Sequence, residues 1–231
     1  MFYSAVKWVV GALLRVLFRL RAVGGPHVPR EGAVLLAANH VSLLDPPIVG
    51  VACPRPLHFM AKAELFGIPL LSRLIRSLNS HPVDRSGADA GALRGALSLL
   101  RAGRALLVFP EGTRGAAGGG LRPGKPGVGM LAVLADAPVI PVYIQGSARV
   151  LPRGAVRPRL ARITVAFGPA LRFGAGRGRE HYQQVTDEIM AAIGRLKAAV
   201  EGPVDAQPVG PAPPDHTDRT GRGPLPAGRI H

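Results

Sequence analysis

The sequence has little cysteine and few aromatic side chains, and each shortage excludes a class of protein. Cys53 is the single cysteine among 231 residues, so an internal disulfide and a cysteine-based zinc site are both excluded. That composition is compatible with a reducing compartment. Aromatic residues make up 5% of the chain and are not interleaved with basic residues in the way that stacks single-stranded bases. We therefore expect no nucleic-acid partner.

Acidic residues are scarce as well. The chain has 14 acidic residues against 29 basic ones, a formal net charge of +15. Such an excess predicts attraction to phosphate, whether on nucleic acid, an anionic membrane or a phosphorylated substrate. The sign of the charge does not choose among the three.

The N-terminal segment lacks the roughly 20 unbroken apolar residues of a membrane-spanning helix. Residues 5–21 instead predict an amphipathic helix with valine and leucine on one arc of the helical wheel. The basic residues occupy another arc: Lys7, Arg15, Arg19 and Arg21. We expect residues 1–24 to lie in a membrane interface, with Trp8 and Phe18 near its boundary. The alternative is an ordinary helix packed on the domain core.

Residues 25–200 alternate short apolar runs with helical spacing, which predicts an α/β domain. We expect a mixed, mostly parallel central sheet flanked by helices. Strands are predicted at 33–38, 56–61, 105–109, 138–144 and 162–167, and helices at 62–78, 88–101, 128–135 and 182–200. Residues 201–231 are rich in Pro, Gly and polar side chains, and we expect a disordered tail because they cannot bury enough apolar surface.

The stretch Asn39–Pro46 follows the first apolar run and carries a titratable base and a carboxylate. Buried parallel strands deliver functional loops at their carboxyl ends. Residues five apart on a helix are separated by about 140° of arc, so we expect a loop leading into a helical turn instead. There Asp45 would accept one ring N–H of His40 and leave the other nitrogen free as a base. Such a dyad has no nucleophile of its own and suits activation of a substrate hydroxyl.

Other interpretations of this stretch are weaker or more general. Asp45 also suits the cap of a turn before its prolines. Ser42 lacks the Gly-x-Ser-x-Gly elbow of a nucleophilic serine. His40 and Asp45 are too few for a metal site, since no nearby cluster of His or carboxylates completes one.

Downstream, Gly124-Lys125 suggests a P-loop, but Pro126 stands where the metal-binding Ser or Thr belongs.

Four blocks occur in order along the chain: Asn39-His40-x4-Asp45, Val83-Asp84-Arg85, Phe109-Pro110-Glu111-Gly112-Thr113-Arg114 and Val139-Ile140-Pro141-Val142. Together they resemble the glycerolipid acyltransferase superfamily typified by 1-acylglycerol-3-phosphate O-acyltransferase. The match also includes Ala61–Phe66 and covers most of residues 27–170. The third block is the most specific of the four.

The resemblance implies acyl transfer from an acyl thioester, on coenzyme A or acyl carrier protein, to the free hydroxyl of lysophosphatidic acid. It implies His40 as general base and Asp45 as its orienting partner. The implied acceptor and phosphate-binding residues, to which we add Lys62, are Arg85, Glu111, Gly112, Thr113 and Arg114. We expect neither a metal nor a redox cofactor, because a thioester is already activated. We expect the protein at the cytoplasmic face of the membrane, peripheral or monotopic.

Three departures from the family pattern leave the acceptor open. The second block lacks the family's usual Gly several residues before its Asp-Arg and has Pro82 in place of an aliphatic residue. Gly115 follows the third block where the family usually has Ser. An alternative acceptor is therefore a lysophospholipid or an acylated amino-acid lipid. An alternative of another class is a membrane-surface binding protein in which the basic helix acts and the dyad is inert.

Overall fold

The structure, a computed structural model, describes residues 2–83, 90–115, 120–152, 154–155 and 157–202. The strands are β1 (Arg21–Val23), β2 (Val34–Ala38), β3 (His58–Lys62), β4 (Ser80–Val83), β5 (Ala105–Val108), β6 (Val139–Gln145) and β7 (Thr164–Phe167). The helices are α1 (Phe2–Phe18), α2 (Asp45–Ala52), α3 (Pro69–Ser77), α4 (Ala90–Arg101), α5 (Pro126–Ala135), α6 (Ser147–Val150) and α7 (Arg179–Glu201). Arg85 lies outside the described residues. The disordered tail is predicted at residues 201–231. Glu201 is the last residue of α7 and Gly202 follows it, while residues 203–231 also lie outside the described residues.

The strands form one sheet in the order β1-β7-β6-β2-β5-β3-β4. All neighbouring pairs are parallel except β6 and β7, which confirms the predicted mixed, mostly parallel sheet. All five residues of β2 are buried, as expected of a central parallel strand with helices on both sides. The carboxyl ends of β2, β3, β5 and β6 therefore meet at one edge of the sheet.

Successive side chains of β2 point to opposite faces of the sheet, and all of them are apolar. Both faces are therefore covered by helices. Leu36 and Ala38 belong to a core cluster that includes residues of α1 and α2. Leu35 and Ala37 belong to a second cluster built with α4, α5 and α7. The sheet thus lies between two packed layers of helices, one on each face.

Helix α1 ends at Phe18, three residues earlier than expected, because Arg19 adopts a left-handed φ of 47°. The expected boundary after residue 24 also changes, since β1 (Arg21–Val23) pairs with β7 and belongs to the sheet. Phe18 was expected near a membrane boundary, but it is 7% exposed and packs in the core because it lies on the inward side of the helix. The outward side carries Trp8, 74% exposed.

No helix among the described residues is long and apolar enough to cross a bilayer.

The helix predicted at residues 62–78 is divided in two. A 3-10 turn over Ala63–Gly67 precedes α3 (Pro69–Ser77). Pro69 disfavours helical backbone at the preceding residue, and Ile68 is accordingly extended, with φ −94° and ψ 111°. Pro69 then occupies the first turn of α3, where its missing N–H costs nothing.

Pro82, one of the three departures in the motif blocks, lies in β4 opposite Ala61 of β3. Because β4 ends the strand order, it is an edge strand, where a missing backbone N–H is tolerated. The proline therefore leaves the position of this block at the sheet edge unchanged.

Candidate active site

The loop after β2 is fixed to the neighbouring strand β6 by Asn39. Its buried side-chain amide donates to the Ile144 carbonyl oxygen at 3.1 Å, and its Oδ1 accepts the Ile144 N–H at 2.7 Å. The amide thus satisfies both backbone groups of Ile144 just beyond the end of β2. His40, the next residue, emerges from a fixed point at the sheet edge.

His40 and Asp45 meet as their spacing predicted. Asp45 Oδ2 lies 2.9 Å from His40 Nδ1 and also accepts the backbone N–H groups of Val41, at 2.7 Å, and Ser42, at 2.8 Å. Asp45 is fully buried and begins α2, so the loop leads into a helical turn. The capping interpretation of Asp45 and the dyad interpretation therefore describe one arrangement, because the same oxygen holds both the loop and the imidazole.

The hydrogen-bond pattern assigns the tautomer of His40. An ionised carboxylate only accepts, so His40 Nδ1 carries the proton and Nε2 keeps a free lone pair. The ring stacks on Phe109 with centroids 4.0 Å apart and an interplanar angle of 19°. With 13% of its side chain exposed, the imidazole is held on both sides yet open to a ligand.

The turn after β5 holds the main chain of His40. Glu111 Oε1 accepts the His40 backbone N–H at 3.0 Å, and the Gly115 N–H donates to the His40 carbonyl oxygen at 2.8 Å. Burial raises the pKa of the Glu111 carboxyl, while hydrogen bonds from the backbone N–H groups of His40 and Arg122 partly oppose that rise. The structure thus shows the Glu111 carboxylate hydrogen-bonded to the main chain of His40. Its predicted contact with the acceptor stays a prediction.

A cavity of about 700 Å³ opens beside the imidazole. His40, Phe109, Gly112 and Lys125 form one end of its wall. Apolar side chains from β3, α4, α5 and neighbouring segments line the rest, including Met60, Val83, Leu93, Val128, Met130 and Leu131. A base with a free nitrogen therefore faces a predominantly apolar space.

Comparison with known proteins agrees with this geometry. The family model described as Acyltransferase matches residues 19–145, which include β2, the dyad loop and the turn after β5. The chain belongs to the acyltransferase family.

Relatives of this acyltransferase act on lysolipids according to their names. It is 30% identical over 140 residues to the 1-acyl-sn-glycerol-3-phosphate acyltransferase of Bacillus subtilis, covering 58% of this chain and 68% of that one. It is 36% identical over 109 residues to the lyso-ornithine lipid O-acyltransferase of Pseudomonas aeruginosa, covering 46% of this chain and 40% of that one. The crystal structure of the lysophosphatidic acid acyltransferase PlsC from Thermotoga maritima matches with a TM-score of 0.64 and 26% identity, covering 84% and 83% of the two chains.

The other predicted site residues of the acyltransferase are less closely grouped. Gly112 lines the cavity, Thr113 is exposed and Arg114 is half-buried on the same turn. Lys62, at the end of β3, is exposed, pairs with Glu64 at 3.2 Å and is not part of the cavity wall. The predicted substrate-binding roles of these residues, and of Arg85, stay predictions.

Ser42 does not act as a free hydroxyl in the acyltransferase. It is buried, and its Oγ donates to the Leu151 carbonyl oxygen at 3.2 Å. This contact supports the sequence-based interpretation that Ser42 is no nucleophile.

Sequence reasoning missed two contributors to the site. Asn39 received no role, although its position directly after a buried strand was a usable signal. The sequence around Lys125 matches only an incomplete P-loop, and no local pattern places this lysine against a turn that ends ten residues earlier.

Proposed function

We propose that the protein transfers a fatty acyl group from an acyl thioester of coenzyme A or acyl carrier protein to the free hydroxyl of 1-acylglycerol 3-phosphate, giving phosphatidic acid. The observation that carries this proposal is the His40 imidazole, oriented by buried Asp45, with Nε2 free beside a largely apolar cavity. A positioned imidazole serves as a general base for a hydroxyl, and an apolar cavity suits a hydrocarbon chain.

The proposed step conserves atoms and charge. His40 Nε2 takes the proton of the acceptor hydroxyl as its oxygen attacks the thioester carbonyl carbon. The C–O bond forms, the tetrahedral intermediate collapses and the C–S bond breaks. The leaving thiolate takes the proton back from the imidazolium, which Asp45 stabilises meanwhile. His40 returns to its starting form, and we propose neither a metal nor a redox cofactor because the thioester is already activated.

The acceptor head group belongs, in this proposal, at the turn after β5. Arg114 is half-buried there, next to Thr113 and Gly112. A guanidinium presents a planar fork to phosphate, which suits Arg114 and Arg85 as a clamp on the head group.

A second candidate acceptor is a lyso-ornithine lipid. The similarity to the Pseudomonas aeruginosa lyso-ornithine lipid O-acyltransferase favours it, as do the two departures at Pro82 and Gly115. A Cβ at Gly115 would meet its nearest neighbours at 3.5 to 3.8 Å, so the site itself does not require glycine there. The same base chemistry serves either acceptor.

An acceptor panel tests the proposal. Purified protein is given radiolabelled acyl-CoA or acyl carrier protein thioester with lysophosphatidic acid, lysophosphatidylcholine or lyso-ornithine lipid, and His40→Ala protein serves as the control. We expect labelled phosphatidic acid from the wild type alone. A product only from lyso-ornithine lipid would establish the second candidate. Binding to liposomes without consumption of thioester from any acceptor would instead establish the membrane-binding protein with an inert dyad.

We further propose that the outer face of α1 rests on an anionic membrane surface at its cytoplasmic side. Trp8, Val9, Leu13 and Val16 are exposed on this helix, while Leu14 and Phe18 face the core. Exposed apolar side chains of this size, beside Arg15 and Arg19, suit an interfacial helix. The position would bring the site to a substrate that resides in the membrane.

A pair of substitutions on α1 separates the membrane contact from the fold. Trp8→Ala is expected to weaken sedimentation with anionic liposomes while the free energy of unfolding changes by less than about 0.5 kcal/mol, because the side chain is exposed. Phe18→Ala is expected to cost about 3–5 kcal/mol of that free energy, because it empties a core position. Unchanged liposome binding by Trp8→Ala and a Trp8→Ala, Val16→Ala double variant would contradict the proposed surface.

A further inference from the structure

Lys125 is a cation in the cavity wall that the mechanism above leaves without a role. Its side chain lies across Gly112, so that a Cβ at Gly112 would be 3.0 Å from Lys125 Cδ and Cε and 3.1 Å from Nζ. Its backbone N–H donates to the Pro110 carbonyl oxygen at 2.9 Å. The main chain and the side chain of Lys125 are thus both held against the turn after β5.

The same turn carries the base on its other side. Phe109 stacks on the His40 ring at 4.0 Å, and Glu111 accepts the His40 backbone N–H. His40, Gly112 and Lys125 line one cavity. The base and the lysine side chain therefore contact the same short turn and border the same cavity.

The ammonium of Lys125 is unpaired within the described part of the chain. Lys62 pairs with Glu64 at 3.2 Å, Lys197 pairs with Glu201 at 3.0 Å, and Lys7 donates to the Cys53 carbonyl oxygen. Lys125 has no comparable partner there, and its side chain is exposed. An unpaired ammonium at the rim of a cavity is a binding position for an anion.

We propose that Lys125 binds the phosphate monoester of the acceptor and sets the preference for phosphorylated lysolipids. This inference rests on the proposed function and adds a specificity residue to it. In 1-acylglycerol 3-phosphate the reacting hydroxyl and the phosphate are on neighbouring carbons, so the base and the phosphate-binding cation must lie close together. His40 and Lys125 border one cavity and both contact the turn after β5, an arrangement that suits this requirement.

Gly112 makes room for the Lys125 side chain at this site. Its φ of +68° is a conformation that side chains with a Cβ rarely adopt, and the added methyl would push against the lysine side chain. Gly112→Ala is therefore expected to strain the turn and to displace the end of the Lys125 side chain slightly, so that it weakens the phosphate contact less than Lys125→Met does.

Two acceptors that differ by the phosphate test this role. Lys125→Met is expected to raise KM for lysophosphatidic acid about tenfold, because that is the usual loss of affinity when a partly exposed charge-assisted hydrogen bond is removed. KM for monoacylglycerol, which has no phosphate, should be unchanged. Lys125→Arg is expected to retain most of the preference. Lys197→Met, which removes a lysine that is ion-paired on α7, is the matched control and should behave as the wild type.

Two outcomes would overturn the assignment. An equal loss of kcat with both acceptors would make Lys125 a structural residue or a partner of the thioester oxyanion. A loss seen with acyl-CoA but absent with an N-acetylcysteamine thioester, which has no nucleotide phosphates, would move the contact to the donor.

A binding measurement keeps this inference separate from the proposed reaction. Calorimetric titration with hexanoyl lysophosphatidic acid, without thioester, is expected to show about tenfold weaker binding to Lys125→Met than to the wild type. Equal binding by two proteins with matching thermal unfolding would overturn the inference even if the wild type transfers acyl groups. Weaker binding without any transfer by the wild type would sustain the inference and refute the proposed function.

Discussion

Replacing His40 by alanine is expected to lower kcat for acyl transfer by about 10²–10⁴-fold, the usual contribution of a positioned general base. The imidazole is the group whose Nε2 is left free by the contact of Nδ1 with Asp45. The backbone contacts of His40 with Glu111 and Gly115 do not involve the ring, so the loop should keep its conformation in the variant. The loss is therefore expected in kcat rather than in folding.

Initial rates at saturating acceptor, together with thermal unfolding, measure this effect. His181→Ala is the matched control, since His181 lies on α7 and its Nε2 is buried without a partner among the described residues. It is expected to retain about the wild-type rate. A folded His40→Ala protein that kept more than about a tenth of the wild-type rate would exclude His40 as the base.

Asp45→Asn is expected to lower kcat by a similar factor, about 10²–10⁴-fold, and to destabilise the protein as well. The carboxylate holds the Nδ1–H tautomer and stabilises the imidazolium that forms during transfer, and a neutral amide does neither as well. Because Oδ2 also accepts the Val41 and Ser42 N–H groups in a buried place, a misplaced amide would leave donors unsatisfied. We expect a loss of about 1–3 kcal/mol in the free energy of unfolding.

A double variant distinguishes the two roles of Asp45. If Asp45 acts through His40, Asp45→Asn should lower the rate of His40→Ala protein very little, because the two residues act as a unit. Asp136→Asn is the matched control, as Asp136 is exposed and its left-handed φ of 47° suits asparagine. Fully additive losses in the double variant would contradict the dyad.

Features that depend only on a few consecutive residues could be predicted from the sequence. The apolar run ending at Ala38 specifies a buried strand, and the interval between His40 and Asp45 specifies a loop that enters a helical turn. Both follow from the geometry of a few consecutive residues. The sheet type followed from the alternation of such segments.

Contacts between distant segments could not be predicted in this way. Asn39 bonds to Ile144, and Glu111 bonds to the main chain of His40, in both cases because strands far apart in sequence are neighbours in the sheet. The resemblance of the third block implies that Glu111 is an acceptor ligand, which stays a prediction, but it does not reveal that Glu111 also holds the main chain of the base. Similarly, periodicity predicts that the N-terminal helix is amphipathic but does not show that Phe18 faces inward and Trp8 outward.

The two-sided character of α1 limits how its exposed apolar surface can be removed. Leu14 and Phe18 complete the core beneath the sheet, so cutting off the N-terminal segment to remove that surface would also leave a gap in the interior. Redesign for crystallisation or in vitro assay should instead exchange Trp8, Val9 and Val16 for polar residues and keep the helix. The same constraint applies during evolution, because substitutions on the inner side of the helix cost stability, whereas substitutions on the outer side alter an exposed surface and, with it, the proposed membrane contact.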